Sequence, residues 1–271
     1  MNRLAGKVAI VLGASGKGSM GPAVAKRLAQ EGARVVVASR RGEPLKRLAD
    51  EIEGAWTTCD ITDKEQVDRL VKFAKERYGH VDIGVNCSAQ GVLMKFEEVP
   101  ESVIDEMVAI NYKGAFFFMQ ALVRAMDRGG SIIMFSTAAV RAIVENHVAY
   151  TAPKAAMENL VQAVAREFGC KGIRANAIAP GLTDTELASP MSTIPGVIEA
   201  FAREYPLGRI GTVQDVAAAT AYLASDECFI TGQTLDVNGG LTLRRNPTPA
   251  EIEASITAAR SVASAASVRE L

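Results

Sequence analysis

The first forty residues restrict this chain more than any other stretch. Lys7 to Leu12 (KVAIVL) is a β-branched run ending at Gly13, which predicts a strand buried on both faces. A glycine- and serine-rich turn follows. Pro22 to Gly32 (PAVAKRLAQEG) then carries Val24, Leu28 and intervening alanines as an apolar helical stripe that Gly32 ends. Arg34 to Ala38 (RVVVA) is the next strand. Strand, helix and strand in so short a span is a βαβ unit, whose two strands run parallel. Parallel strands need helices over both faces, so the opening commits the chain to an α/β architecture.

The alternation continues. Pro44 to Glu53 reads as a helix, Ala55 to Cys59 as a strand, and Thr62-x-x-Glu65 as a capping box opening a helix toward Tyr78. Strands at Val81–Val85, Ser131–Phe135 and Arg174–Ala179 alternate with helical stretches at Ser102–Met126 and Tyr150–Phe168. Thr212-x-x-Asp215 caps a helix running to Ala224, and Thr234 to Val237 is a last short strand. About seven strands alternating with about six helices predict one domain, a doubly wound, mostly parallel seven-stranded sheet with helices on both faces.

We assign residues 1–243 to that domain. Residues 183–207 follow a strand's carboxyl end and include Pro190, Pro195 and Pro206, which reads as a lid over a ligand site. Residues 244–271 form an extension in which Thr248-Pro249-x-Glu251 combines an N-cap, a first-turn proline and a box glutamate, predicting a helix from Pro249. Its narrow stripe of Ile252, Ile256, Ala259 and Ala263 is expected to pack across a subunit interface or over a partner's lid.

Composition excludes several classes. With 271 residues, 48% of them hydrophobic, the chain can bury a full core. A formal net charge of −1 leaves no electrostatic footprint for nucleic acid or an anionic membrane. No apolar run approaches the ~18 residues of a membrane span, and the N-terminus lacks a signal-peptide pattern, so a soluble cytoplasmic protein is expected. Cys59, Cys87, Cys170 and Cys228 lie far apart without a CxxC spacing and read as small hydrophobes, with no metal cluster or disulfide framework.

Three motifs carry chemistry. Gly13-Ala-Ser-Gly16-Lys-Gly18-Ser-Met-Gly21 sits between strand and helix, where glycines let the backbone approach a pyrophosphate and helix-start amides bind its charge. At the end of the second strand, Ser39-Arg40-Arg41 stands where an NAD-preferring fold places an acidic residue. A hydroxyl, two guanidinium groups and Lys17 suit a ribose 2′-phosphate instead. Tyr150-Thr-Ala-Pro-Lys154 sets a phenol and an ammonium on one helical face. The cation is expected to draw the phenol's pKa down from ~10 and make a general acid/base.

In this order, the glycine loop, Asn86, Asn111, Thr137, Tyr150-x-x-x-Lys154 and Pro180-Gly181 resemble the short-chain dehydrogenase/reductase family, over about residues 5–243. The resemblance implies a Rossmann-like fold and hydride exchange between a nicotinamide and a carbonyl carbon, with Tyr150 exchanging the proton. It implies that Lys154 tunes that phenol and holds the nicotinamide ribose, and that Asn111 supports a water relay. For the cofactor it implies contacts from Gly13, Ser15, Lys17, Gly18, Met20 and Gly21, from Asp60 and Ile61 at the adenine, and from Asn86 and Ser88. Pro180, Gly181, Thr183 and Thr185 would hold the nicotinamide amide and phosphates. A homo-oligomer, tetramer or dimer, is the implied assembly, with Phe116-Phe117-Phe118 packing in a helix that forms subunit contacts in many relatives.

The departures are specific. Thr137 stands where the family's catalytic serine is usual, with Ser136 beside it. Asn86-Cys87-Ser88-Ala89 keeps only the first asparagine of the usual run, and the cofactor loop is about two residues longer than the common form. Pro153 removes a backbone donor and requires the helix to begin close to Tyr150. His147 reads as a pocket-edge or surface residue. Leu187, Met191, Ile194, Val197, Ile198 and Phe201 give the lid an apolar character, against few charges (Glu186, Glu199, Arg203).

These features predict an NADP(H)-dependent reductase/dehydrogenase, with NAD(H) second, that interconverts a largely apolar ketone and its secondary alcohol without a metal. The alternatives are an enoyl-type reductase, whose tyrosine and lysine are commonly separated by six intervening residues rather than three, and a non-catalytic NADP-binding regulator.

Overall fold

The computed structural model describes residues 2–16, 18–185 and 194–269. In chain order the strands are β1 (Val8–Leu12), β2 (Arg34–Ser39), β3 (Ala55–Thr58), β4 (Ile83–Asn86), β5 (Gly130–Phe135), β6 (Ile173–Pro180), β7 (Thr183–Asp184), β8 (Gly211–Thr212) and β9 (Thr234–Val237). Seven of them form one sheet in the order β3-β2-β1-β4-β5-β6-β9, every neighbouring pair parallel; β7 and β8 pair apart from it. The chain winds outward from β1 to β3, returns to β4 and winds the other way. The switch point between β1 and β4 therefore opens a crevice at the carboxyl ends of the strands.

The helices are α1 (Met20–Gln30), α2 (Gly42–Glu51), α3 (Lys64–Tyr78), α4 (Glu101–Val108), α5 (Gly114–Ala125), α6 (Val148–Phe168), α7 (Val197–Ala202), α8 (Val213–Ala224) and α9 (Pro249–Arg269). Strand periodicity sorts the core. Ala9, Val11, Val35 and Val37 face α1, α2 and α8 through Val24, Leu28, Leu45 and Val216. Ile10, Leu12, Val36 and Ile132 face α3, α5 and α6 through Leu70, Phe118, Leu122 and Met157. Each large side chain so buried stabilises the fold by roughly 1.5–3 kcal/mol.

Local details differ from the sequence reading where a stronger hydrogen-bonding group lies close by. The cap of α3 is Asp63, not Thr62: its carboxylate accepts from the amides of Glu65 and Gln66 at 2.9 and 3.1 Å, while the Thr62 hydroxyl bonds to Asp60. An ionised carboxylate is a better acceptor than a hydroxyl, which favours the aspartate. The Thr212–Asp215 box closes as expected. The Ser102–Met126 stretch is helical but interrupted by a π turn at Ala109–Lys113 that separates α4 from α5. Phe118 is core, Phe117 packs against it, and Phe116 is exposed.

A third, smaller core lies beyond the sheet. Val197, Phe201 and Tyr205 pack with Ala138, Ala142 and Leu241, and Ile252 and Ile256 of α9 close over them. The extension thus docks on the lid helix of its own chain. Gly196 makes this possible: a Cβ there would fall 2.4 Å from the Ser255 carbonyl oxygen, and its φ of +91° suits glycine alone. Asn246 adds a buried hydrogen bond of 2.5 Å from its amide to the Ala142 carbonyl. Val197 and Phe201 are therefore buried in that packing instead of lining a substrate surface. Lys17, Glu186, Leu187 and Met191 lie outside the described residues.

Candidate active site

The sequence-predicted residues among those described gather at the carboxyl ends of β1 to β6. Gly13 ends β1 at the switch point with φ +91°, and a Cβ on it would meet the Ser88 amide nitrogen at 2.5 Å. Gly21 is as constrained: a Cβ on it would fall 2.3 Å from the Gly13 carbonyl oxygen. The loop is therefore tied down at both ends, while Gly18, at φ +64°, turns the exposed part between them. At the start of α1, the Ser19 hydroxyl turns back to the Gly16 carbonyl at 2.7 Å rather than onto the helix amides. Those amides and the positive helix end, beside half-buried Ser15 and Met20, form an anion cradle. A pyrophosphate fits this donor set.

Arg41 spans the crevice. Its guanidinium donates to the Ser15 carbonyl at 3.0 Å, and its amide donates to the buried Ser39 hydroxyl oxygen at 3.3 Å. Arg40 is exposed beside it. Asp60 accepts from the Thr62 amide and hydroxyl at 2.9 and 2.8 Å, and Ile61 is buried against Gly114. Asn86 is buried and accepts from the Ser88 amide at 2.9 Å, fixing the turn below Gly13. On the opposite side Pro180 ends β6. The Gly181 carbonyl accepts from the Thr183 hydroxyl at 3.0 Å, and Thr185 follows β7.

Tyr150, Lys154 and Glu158 follow one another at four-residue spacing on α6. The helix begins at Val148, so Pro153 forfeits only a backbone bond in its second turn. Burial pushes the Tyr150 phenol up to about 12, against the opposing effect of a hydrogen bond with the Thr137 hydroxyl. Burial also draws the Lys154 ammonium down to about 8, opposed by the nearby Cys87 and Glu158. The ammonium donates to the Phe135 carbonyl at 2.6 Å and stands 5.8 Å from the phenol ring centre. Desolvation is the largest effect on both groups, and Thr137 opposes it at the phenol.

The two adjacent hydroxyls separate. Thr137 lies against Tyr150, while Ser136 is buried and donates to Glu158 at 2.5 Å. Asn111 sits in the π turn, its amide donating to the carbonyls of Gln90 and Met107 at 3.0 and 3.1 Å. Its own oxygen is buried without a protein partner among the described residues, an acceptor placed for a water molecule. His147 is half-buried beside Tyr150: its ring packs edge-to-face on the phenol with centroids 4.8 Å apart, and burial lowers its pKa.

Sequence reasoning missed Glu158 and Tyr205. The Tyr205 hydroxyl accepts from the Leu182 amide at 2.6 Å under Gly181 and so supports the β6 turn. The signal for Glu158 was its place two turns beyond Tyr150; Tyr205 left none.

A sheet wound in this order, with this crevice and this tyrosine–lysine helix, defines a nicotinamide-dependent oxidoreductase of the α/β class, and the comparisons agree. The chain belongs to the short-chain dehydrogenase/reductase family. The family model that matches residues 13–242 is described as enoyl-(acyl carrier protein) reductase. An NAD-dependent glycerol dehydrogenase of Listeria innocua is 34% identical over 88% of this chain and 94% of its own. An A-factor type gamma-butyrolactone 1'-reductase of Streptomyces virginiae is 34% identical over 89% and 97%. A short-chain type dehydrogenase/reductase from Mycobacterium ulcerans superposes with a TM-score of 0.86 at 29% identity, covering 90% of this chain and 92% of that one. Among the described residues no helix is long and apolar enough to cross a membrane.

Proposed function

We propose that this oxidoreductase reduces a largely apolar ketone to its secondary alcohol, and oxidises the alcohol in reverse, with NADP(H) preferred over NAD(H). The observation that carries the reading is the Thr137 hydroxyl paired with half-buried Tyr150, with the Lys154 ammonium 5.8 Å from the phenol ring centre. A ketone oxygen seated between them would receive one hydrogen bond and one transferable proton. The bound nicotinamide supplies the hydride. Gly13, Ser15, Gly18, Met20 and Gly21 would hold its pyrophosphate, and Asn86, Ser88, Asp60 and Ile61 the adenosine side. Pro180, Gly181, Thr183 and Thr185 would hold the nicotinamide end.

The phenol would hand its proton to the ketone oxygen in reduction and take it back from the alcohol in the reverse direction. Lys154 and Asn111 stand behind it as donor and acceptor for the returning proton, the Asn111 oxygen holding the relay water. Arg41 supports the NADP(H) preference: it already bridges the loop and the Ser39 corner, where a 2′-phosphate would meet a guanidinium. The NAD dependence in the Listeria relative's name belongs to that protein.

Three exposed apolar side chains, Leu93, Phe96 and Ile143, extend from the two loops flanking His147 and Tyr150 and support an apolar substrate. Exposed Ile104 and Phe116, on α4 and α5, support a homo-oligomer built on those helices. The test is cofactor oxidation followed with a panel of cyclic and aromatic ketones, and with an enoyl thioester in parallel. Ketone turnover faster with NADPH is expected. Turnover of the enoyl thioester alone would establish the enoyl-type reductase, and NADPH binding without any turnover would establish a regulator.

A further inference from the structure

Ser136 and Thr137 are consecutive hydroxyls on an extended segment, Thr137 having φ −156° and ψ 143°. Successive side chains of such a segment point to opposite sides, so a twist that brought Ser136 to Tyr150 would turn Thr137 away. Something must decide between them. The backbone at Ser136 is still paired with the sheet, its amide donating to the Ile178 carbonyl at 2.7 Å. Its hydroxyl donates to Glu158 Oε1, and a carboxylate is a stronger acceptor than a neutral group. The other oxygen, Glu158 Oε2, accepts from Arg141 Nη2 at 2.9 Å, and Arg141 lies 3.6 Å from Asp236 of β9. One carboxylate, 13% exposed, thus fastens the segment on both sides of Thr137, at Ser136 before it and Arg141 after it.

We propose that Glu158 is a positioning residue for the reaction: by holding Ser136 and Arg141 it aims the Thr137 hydroxyl at Tyr150. This rests on reading Thr137 and Tyr150 as the groups at the substrate oxygen. The carboxylate would act through the segment it clamps rather than at the reacting atoms.

The test combines kinetics with a spectroscopic readout on the full chain. Ser136→Ala, Glu158→Ala and Glu158→Gln are each made in the native background and with Thr137→Ala. Ser136→Ala and Glu158→Ala should lower kcat roughly tenfold with NADPH binding unchanged, and should cost less than twofold once Thr137→Ala is present. Glu158→Gln keeps an acceptor for Ser136 and should restore most of the loss. In protein labelled at tyrosine ¹³Cζ, Ser136→Ala and Glu158→Ala should reproduce the Tyr150 shift change that Thr137→Ala produces. Losses that multiply fully with Thr137→Ala, a native Tyr150 signal in both variants, or Glu158→Gln as poor as Glu158→Ala would overturn the proposal. Should Glu158→Ala fail to fold, Ser136→Ala and Glu158→Gln give the same decision. Full activity of Thr137→Ala would instead overturn the parent reading, and the clamp with it.

Discussion

The Lys154 ammonium donates to the Phe135 carbonyl at 2.6 Å and stands 5.8 Å from the centre of the Tyr150 ring one helical turn away. The helix brings the two residues together, but the end of β5 fixes the cation. Strand β5 therefore positions two parts of the site at once, the lysine through Phe135 and the hydroxyl through Thr137.

That burial has a pH signature. The folded pKa of Lys154, about 8, lies below the ordinary 10.5, so the unfolded chain binds more protons between those values and folding becomes more favourable as pH rises through them. Tyr150 has the opposite sign, but its contribution is lost only above its ordinary value of 10. Compared with Lys154→Met in urea melts, the native protein should be penalised by a few kcal/mol at pH 7, and the penalty should shrink between pH 8 and 10. A difference that does not vary with pH would contradict the burial of a charged lysine.

Arg41 should set cofactor choice. NADPH is expected to bind at least tenfold more tightly than NADH, only ~1.4 kcal/mol and within reach of one charge-assisted phosphate contact. Arg41→Ala should remove most of that ratio, and Arg41→Asp should invert it, as read by fluorescence titration of both cofactors. Equal dissociation constants in the native protein would sink the assignment.

The Thr137 hydroxyl should be worth on the order of 10²-fold in kcat/KM, the scale of one oxyanion-type donor, so Thr137→Ala loses that much and Thr137→Ser very little. Ser136→Ala should be the milder change. A reversed ranking would place Ser136, not Thr137, at the substrate oxygen.

The lid should respond to a single methyl. Gly196→Ala places a Cβ against the Ser255 carbonyl at a positive φ, so α9 must lift from α7. Truncation after Arg245 removes the same contact. Both should raise KM for the ketone several-fold, leave the dissociation constant for NADPH unchanged and lower Tm. Native KM and Tm in both variants would show that α9 does not hold the lid.

Much of this was legible in the sequence because each element carried its own signal. The apolar runs at Val8–Leu12 and Val35–Ala38 identified the sheet, and Thr212–Asp215 and Thr248–Glu251 identified helix starts that the structure keeps. The gathering of Gly13, Ser39, Asn86 and Tyr150 at one sheet edge followed from strand–helix alternation. What escaped was tertiary. Which of Ser136 and Thr137 faces Tyr150 depends on Glu158, remote in sequence. The docking of Ile252 and Ile256 on the chain's own lid helix depends on Gly196, which no periodicity announces. The direction of the Tyr150 shift depends on desolvation, and four-residue spacing to a lysine says nothing about burial.

The account turns on Tyr150 as the proton donor, and the most direct measurement is kcat for ketone reduction in Tyr150→Phe, paired with NADPH affinity. The phenol's ring packing survives this change and only its proton is lost, so kcat should fall by roughly three orders of magnitude while the dissociation constant for NADPH stays within about twofold. Retention of more than about a tenth of the native kcat would contradict the account.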